Sequence, residues 1–577
     1  MKTKVNWLEW GRQAFDMAKK EDKPILLDLT AVWCHWCHVM DSNSYSDEEC
    51  ARIINEDFVP IKVYIDKRPD LRERYNMGGF PSTVFLNTDG YVISGETYVE
   101  PKRFRLMLSS VRDAYKNKKN DIKKNIENAK DIEIKEKKPD KTQISYDIIK
   151  EILLSIEDNF DSFYGGFGIE PKFPSTEAID LLFMQHQKNR DKKYLSMALK
   201  TLDCMHEGIY DNVDFGFFRY SVTRDWKMPH YEKMLDTNAG LLRNYALAYN
   251  TTKMEKYKKI AIEMIDYLNK FLSDQKNGGF YGSQDADEEF YNLKPEERRK
   301  KAYPYVDKTI YVDWNALMIS SYIKAGAILN DEKAIKFAIK TADFILEKCH
   351  DSKKGMCHFF DGKARINGLL SDNIHFLNCL IDAYYAAQNK KYLKTHENQR
   401  FSGPRKSKRF SREINDIAEF ILKNFYDRQN SGFFDRIVEE GDFGALKHKD
   451  KHFLENSFCA IVFLRLYFLT KEEKYKQAAG DALIYFADSY VNFGYFAAIY
   501  AVAADMIMNN EIKVDIVNRK EMINSCIAAA NPRIVVNFID KNNSKTSYEA
   551  EGAYVCKGTL CKGPIKDKDK LEEELTG

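Results

Sequence analysis

The pattern of hydrophobic and polar positions divides the chain into three regimes. Up to about residue 115, helical spacing alternates with short apolar runs. Trp7 to Lys20 places apolar residues at helical spacing, and Pro24 to Leu29 (PILLDL) reads as a strand covered on both faces. A helical pattern runs on to Ile54. Val59 to Ile65, Thr83 to Leu86 and Tyr91 to Ser94 read as further strands, the last following the Asp89-Gly90 turn signal. From 142 to 510 the period is helical throughout. Amphipathic segments, such as Tyr146 to Asn159, Ala261 to Ser273 and Ile414 to Tyr426, alternate with segments apolar nearly all round. The latter run from Asn238 to Tyr249, Trp314 to Leu329, Asn373 to Ala387, Asn456 to Leu469 and Tyr495 to Met508. Beyond 511, strands are predicted at Lys513 to Val517, Ile534 to Phe538 and Ala553 to Val555, with a helix around Glu521 to Ala530.

A glycine–aromatic segment recurs six times between 142 and 510, at Gly165, Gly216, Gly279, Gly355, Gly432 and Gly494. An amphipathic helix precedes each and a more apolar helix follows. Six outer–inner pairs with unequal loops predict a closed (α/α)6 toroid, an open α-solenoid being the alternative. The expected fold class is therefore multidomain, α/β plus all-α. A thioredoxin fold occupies 1–115, a charged linker 116–141, the toroid 142–510 and a small α/β region 511–577. The linker holds ten lysines and six acidic residues and no aromatic. A second basic stretch, Asn389 to Ser411, has eight Lys/Arg against one Glu and reads as a solvated insertion or a basic docking patch.

Composition sharpens this. Among 577 residues, 44% are hydrophobic and 13% aromatic, which excludes wholesale disorder. The 89 Lys+Arg nearly balance the 87 Asp+Glu, so no basic footprint points to nucleic acid. The apolar stretch from Ser489 to Ala504 contains Asn492 and Gly494 and is too short and too polar for a membrane span, so it reads as a core helix. Eleven cysteines with no apolar leader at the N-terminus point to a reducing compartment, and the expected localisation is cytoplasmic.

The strongest chemical motif is Trp33-Cys34-His35-Trp36-Cys37-His38, between a predicted strand and helix. Cys34 at the helix N-terminus would be stabilised as thiolate, and Cys37, one turn on, would resolve a mixed disulfide. His35 and His38 could tune the pair. Pro81, after Met77-Gly78-Gly79-Phe80, is the expected cis-proline facing the dithiol. The same residues also spell a haem c attachment signature, which needs export, and half of a zinc site. A scaffold whose cysteines do no essential redox work is a further reading.

In the toroid, polar clusters open the apolar helices: Asp236-Thr237-Asn238, Asp313-Trp314-Asn315, Asp372-Asn373 and Glu455-Asn456-Ser457. Each taken alone is an N-cap pattern. Together they converge on one mouth, where aromatics and carboxylates suit sugars. The loops around it supply His230, Glu232, Asp285 and Asp287 as candidate catalytic groups. Trp226, Tyr281, Trp314, Asp236, Asn238, Asp313, Asp372 and Glu455 are candidate ligand-binding residues. A rigid polar network holding the rim is the alternative. His230 is the natural proton-abstracting group, with no second histidine in an equally motif-rich loop. The C-terminal pair Cys556 and Cys561 is either a second dithiol or two thiols in a β turn. No metal and no cofactor is expected.

The stretches KPILLDL, WCHWCHVM, GGFP, GGFGIEPKFP, FFRYSVTRDWKMPHYEKML, GGFYGSQDADEE, DWNALMI, NSGFFD, LENS and YVCKGTLC span nearly the whole chain. In these it resembles the spermatogenesis-associated protein 20 family, which joins a thioredoxin-like domain to a six-hairpin glycosidase-like toroid. After EKML the family usually reads Tyr-Asp-Asn, whereas this chain has Asp236-Thr237-Asn238. The resemblance implies architecture more than reaction. The expected function is a thiol–disulfide protein whose toroid recognises a carbohydrate-like ligand, with a protein disulfide partner. A sugar epimerase or glycoside hydrolase with an accessory thioredoxin domain, and a non-catalytic interaction scaffold, are the alternatives.

Overall fold

The computed structural model describes residues 4–124, 143–393, 404–541 and 547–576. They fall into two compact units. The first contains α1 (Arg12–Glu21), β1 (Ile25–Thr30), α2 (His35–Ser42), α3 (Glu48–Asp57), β2 (Val59–Tyr64), α4 (Pro69–Tyr75), β3 (Ser82–Leu86), β4 (Val92–Glu96) and α5 (Pro101–Asn117). The sheet order is β2-β1-β3-β4. β1 runs parallel to β2 and antiparallel to β3, the arrangement of a thioredoxin fold. Every residue of β1 is buried, as its unbroken apolar run predicts. The Phe80–Pro81 bond is cis, and Pro81 immediately precedes β3.

This unit also takes in Arg436–Asp450, which the sequence reading placed within the toroid. Phe443 stacks on Phe15 of α1 at 4.4 Å. The Tyr75 hydroxyl donates to the Gly90 carbonyl at 2.7 Å and accepts from the Ala445 N–H at 2.9 Å. Gly90 has φ of +86°, and a Cβ there would stand 2.7 Å from the Cα of Gly444, so two glycine backbones meet where side chains have no room. Residues 125–142, most of the predicted linker, lie outside the described residues.

In the second unit the inner helices are Thr176–Asn189, Leu235–Thr252, Val312–Leu329, Leu370–Ala387, Phe453–Thr470 and Ala498–Met508. The outer helices are Tyr146–Asn159, Lys192–Ile209, Glu255–Phe271, Glu332–Cys349, Pro404–Asn424 and Glu473–Tyr485. Each inner helix packs on the next. The last packs on both Thr176–Asn189 and Tyr146–Asn159, so the ring closes and the fold is an (α/α)6 toroid. Outer helices bury one stripe: Glu255–Phe271 covers Tyr257, Ile260, Ala261, Met264, Ile265 and Leu268. Inner helices are pressed from several sides, which removes the amphipathic pattern. Phe453–Thr470 is long and apolar enough to cross a membrane by length and composition alone, as is the stretch Tyr490–Met508; both stretches belong to this ring. Of the basic insertion, residues 394–403 lie outside the described residues, and 404–411 form the start of an outer helix.

One hairpin device repeats around the ring. An aspartate at the end of an outer helix accepts backbone N–H groups two or three residues on: Asp161 from Phe163 and Tyr164, Asp274 from Lys276 and Asn277, Asp427 from Gln429 and Asn430. A glycine at positive φ then turns the chain. A Cβ on Gly216, φ +75°, would lie 2.6 Å from the Tyr267 ring. The aromatic after it is grasped by an asparagine of the following inner helix. Asn238 holds the Phe217 N–H and carbonyl, Asn315 those of Phe280, Asn456 those of Phe433. Buried lysines complete three repeats: Lys172 on Asp161, Lys233 on Asp211 and Lys451 on Asp427, at 2.7, 2.7 and 2.8 Å.

Four inner helices begin earlier than predicted, at Leu235, Val312, Leu370 and Phe453, whereas the last begins later, at Ala498 rather than Tyr495. Leu235–Thr252 follows directly on a strand pair joining Lys233–Met234 to Ser283–Gln284. The N-caps are Met234, Tyr311, Leu369 and His452, without side-chain capping bonds. Asp236, Asp313, Asp372 and Glu455 therefore lie inside the first turn, where the helix N-terminus favours negative charge.

The C-terminal residues belong to the same unit. Their sheet runs in the order Ile534–Ile539, Ile512–Val517, Gly552–Lys557, Leu560–Ile565. The last strand and the helix Lys568–Thr576 went unrecognised in the sequence.

Candidate functional site

In the first unit, Cys34 is the N-cap of α2. Its Sγ accepts the Cys37 N–H at 3.2 Å, and the two cysteines are joined as a disulfide. Both are buried, while His35, Trp36 and His38 around them are exposed. Trp33 is fixed by its indole N–H donating to Asp66 at 2.6 Å.

Sequence reasoning missed Asp28, the one charged residue of the PILLDL run. It is 1% exposed in β1 and faces Lys62 of β2 at 3.0 Å. Burial pushes its carboxyl above the ordinary carboxylate value, against the pull of Lys62. Lys62 also pairs with Asp41 at 2.5 Å, and the two acids outweigh the burial that opposes its charge.

In the toroid, the rim gathers most of the expected groups. Glu232 is buried, 3.5 Å from Arg219 and 3.7 Å from His230 Nδ1. Burial raises its carboxyl, with Arg219 opposing and Asp285 adding to the rise. His230 stacks on Tyr220 at 4.4 Å, and Tyr220 on Phe173 at 4.5 Å. Asp236 is raised by burial and feels both Arg219 and Asp313. Asp372 is fully buried and held at about 6, first by burial and then by Asp313, while His358 pulls it down. His358 Nδ1 lies 3.0 Å from Asp372. One ligand atom from each of Asp313, His358 and Asp372 falls within a 4.8 Å cluster, a set that could hold a cation. The His358–Asp372 hydrogen bond satisfies that pair without one.

Of the other expected residues, Trp226, Asn238 and Asp287 are committed to the scaffold or to a helix cap. Trp226 is fully buried, its N–H on the Tyr164 carbonyl at 2.9 Å, and packs on Gly166 and Gly208. It is part of the loop scaffold. Asn238 is likewise internal, committed to Phe217 and Met234. Asp287 is exposed and caps the short helix Glu288–Tyr291 through the Phe290 N–H. Glu455 lies 3.8 Å from His452. Trp314 packs on Tyr311 at 4.7 Å, and Tyr281 lies under Lys308 at 5.9 Å.

Two further histidines, His358 and His375, stand beside the acids of the inner helices. Neither sits in a motif-rich loop. His358 comes from the strand Gly355–Phe360, and His375 follows Asp372 by one helical turn. His375 stacks on Phe458 at 4.2 Å and lines a central cavity of roughly 270 Å³. Burial holds its imidazole down at about 4, although Asp313 pulls the other way. Deeper in that cavity, Arg243 meets Asp180 at 2.5 Å, Arg465 meets Asp382 at 2.5 Å, and Lys324 donates to the Ala529 carbonyl at 2.7 Å. Burial lowers Lys324 to about 8. Cys526 to Val536 of the C-terminal region contribute to the lining.

A family model described as Thioredox_DsbH, protein of unknown function DUF255, matches residues 1–133. Human spermatogenesis-associated protein 20 is 26% identical over 577 residues, covering 77% of this chain and 71% of that protein. Thioredoxin-1 of Drosophila melanogaster is 34% identical over 92 residues, 16% of this chain and 83% of its own length. Among solved structures, cellobiose 2-epimerase from Spirochaeta thermophila overlaps 63% of this chain and 97% of its own, with 15% identity and a TM-score of 0.48. A likeness at that level bears on neither substrate nor reaction.

Proposed function

We propose, on the premise that the chain belongs to the spermatogenesis-associated protein 20 family, that its first unit performs thiol–disulfide exchange through Cys34 and Cys37. The observation that carries this reading is the position of Cys34 Sγ, at a helix N-terminus and accepting the Cys37 N–H. In the reduced state that N–H and the helix dipole stabilise the Cys34 thiolate. The thiolate attacks a partner disulfide, forms a mixed disulfide with one of its sulfurs and expels the other as a thiolate. Cys37, deprotonated, then attacks Cys34 Sγ and expels the first sulfur, so that the partner's two thiolates take up the two protons the Cys34–Cys37 dithiol has lost. A cytoplasmic setting, where thiols are kept reduced, is part of the proposal. The test is trapping: Cys37→Ser should accumulate mixed disulfides through Cys34, and Cys34→Ser should not. Equal alkylation of both thiols at model-thiol rates would sink the reading.

A second reading concerns the toroid, favoured by the rim cluster of Glu232, Asp236 and Asp313 beside the His230–Tyr220–Phe173 stack. We infer a polyhydroxylated, sugar-like ligand: the rings offer stacking faces and the carboxylates accept hydroxyl groups. Fast glycoside hydrolysis is not part of the reading. It needs two carboxyl groups flanking one bond, about 5–5.5 Å or 6.5–9.5 Å apart. In the close pair Asp313 and Asp372, the latter is fully buried and bonded to His358. Turnover on glycosides and free reducing sugars, with His230→Ala and Asp285→Asn as controls, separates the readings. Hydrolysis abolished by Asp285→Asn would promote the hydrolase, and interconversion of free sugars lost in His230→Ala would promote the epimerase. Neither binding nor turnover across the panel would leave the scaffold.

A further inference from the structure

The C-terminal hairpin carries a second disulfide, between Cys556 on Gly552–Lys557 and Cys561 on Leu560–Ile565. The two residues stand directly opposite each other in the antiparallel register. Their side chains therefore share one face of the sheet. The strand carrying Cys561 is the sheet's edge and is exposed along most of its length; Cys561 itself is exposed and Cys556 half-buried. The bond spans a turn, Gly558-Thr559, that the strand pairing already closes, and a loop this short gives a crosslink little unfolded-chain entropy to remove. On the other side of Cys556, its register partner on Ile512–Val517 is Lys513. Lys513, Cys556 and Cys561 thus form a row across three strands on one face. The Lys513 ammonium meets Asp515 at 2.8 Å and is itself exposed.

We propose that Cys556–Cys561 is a second redox-active centre, reduced by exchange with a dithiol in solution and re-formed by the reverse exchange with that dithiol's disulfide form, with Lys513 stabilising the leaving sulfur. The reductant's thiolate attacks Cys561 Sγ, the exposed sulfur. The Cys556–Cys561 bond breaks and Cys556 leaves as a thiolate beside Lys513. The second thiol of the reductant, deprotonated, attacks the mixed disulfide and expels Cys561 as a thiolate. Both cysteine thiolates take up the two protons the reductant lost. In balance, one dithiol is oxidised to a disulfide, and one disulfide accepts two electrons and two protons to become two thiols. This exchange is independent of Cys34 and Cys37.

The experiment uses the full chain with Cys34→Ser and Cys37→Ser, so that only the C-terminal pair reports. Differential alkylation and mass spectrometry follow Cys556 and Cys561 during reduction by dithiothreitol under native conditions and after equilibration in glutathione buffers. The pair should open without denaturant and re-form on oxidation. Its reduction should slow at least about threefold in Lys513→Glu and recover in Lys513→Arg. A pair that opens only once the chain is unfolded, or whose rate ignores the charge at 513, would overturn the proposal. In parallel, Cys34 trapping in a Cys556→Ser/Cys561→Ser chain reports on the first dithiol alone, so either centre can fail without the other.

Discussion

The side-chain amide of Asn456 closes on both polar groups of Phe433. Its oxygen accepts the Phe433 N–H at 2.6 Å, and its nitrogen donates to the Phe433 carbonyl at 2.9 Å and to His452 at 2.9 Å. The same clasp at Asn238 and Asn315 ties an inner helix to the hairpin before it. Fully buried donors and acceptors leave no water to replace a lost partner.

Removing that clasp should be costly. Asn456→Ala leaves the buried N–H and carbonyl of Phe433 unpaired, each worth about 1–3 kcal/mol, while the His452 carbonyl keeps the backbone N–H of residue 456. The expected loss is about 3 kcal/mol, read from the denaturant midpoint. Asn456→Asp should also destabilise, because a carboxylate cannot donate to the two carbonyls. A neutral effect of either would show that the hairpins hold without it.

Lys233 is completely buried, 2.7 Å from Asp211, which also receives Arg298 at 2.9 Å. Lys233→Met leaves Asp211 with one cation and the Phe215 carbonyl without its donor. About 3 kcal/mol of destabilisation is expected, the lower end for a broken buried pair because Arg298 remains. Adding Asp211→Leu should return part of the loss. An additive double variant would contradict the coupling.

His375 and Asp372 should give opposite pH dependences. His375, held at about 4 by burial, is neutral in the folded chain, while the unfolded imidazole takes up a proton below its ordinary 6.5. Stability is therefore lost as pH falls from 6.5 toward 4, by about 2 kcal/mol at pH 5 relative to pH 7. His375→Phe, which keeps a ring against Phe458, should remove that loss. Unfolding midpoints at pH 5 and pH 7 check it.

Asp372 works the other way. Its folded value, about 6, lies above the unfolded value, so the folded chain holds the proton more tightly. Its contribution is present at low pH and lost as pH rises from about 4 through 6, amounting to about 3 kcal/mol. Asp372→Asn should abolish this slope and expose the rising limb due to His375. Identical profiles for the variant and its parent would mean that the carboxyl is not raised.

Much of the architecture is written along the chain because its causes are local. A buried strand must be apolar, so PILLDL announces β1. An outer helix must bury one stripe, and each hairpin needs a glycine where the backbone turns through positive φ, so six repeats can be counted before any contact is known. Cys34 and Cys37 are legible for the same reason: four consecutive positions place one sulfur at a helix end and the other a turn away.

What the tertiary structure alone decided are pairings between residues far apart in sequence. Asp28 becomes a raised carboxyl only when β2 lays Lys62 beside it inside the sheet. Asn238 reads as a site residue until its amide is seen spent on Phe217, and Trp226 until its ring is found filling the space above Gly166 and Gly208. His358 enters the rim because a strand outside every motif delivers it to Asp372. Arg436–Asp450 joins the thioredoxin unit because Phe443 finds Phe15. Local pattern fixes which face of a segment is apolar. Desolvation and hydrogen bonding, summed over neighbours hundreds of residues away, fix what each polar side chain on it does.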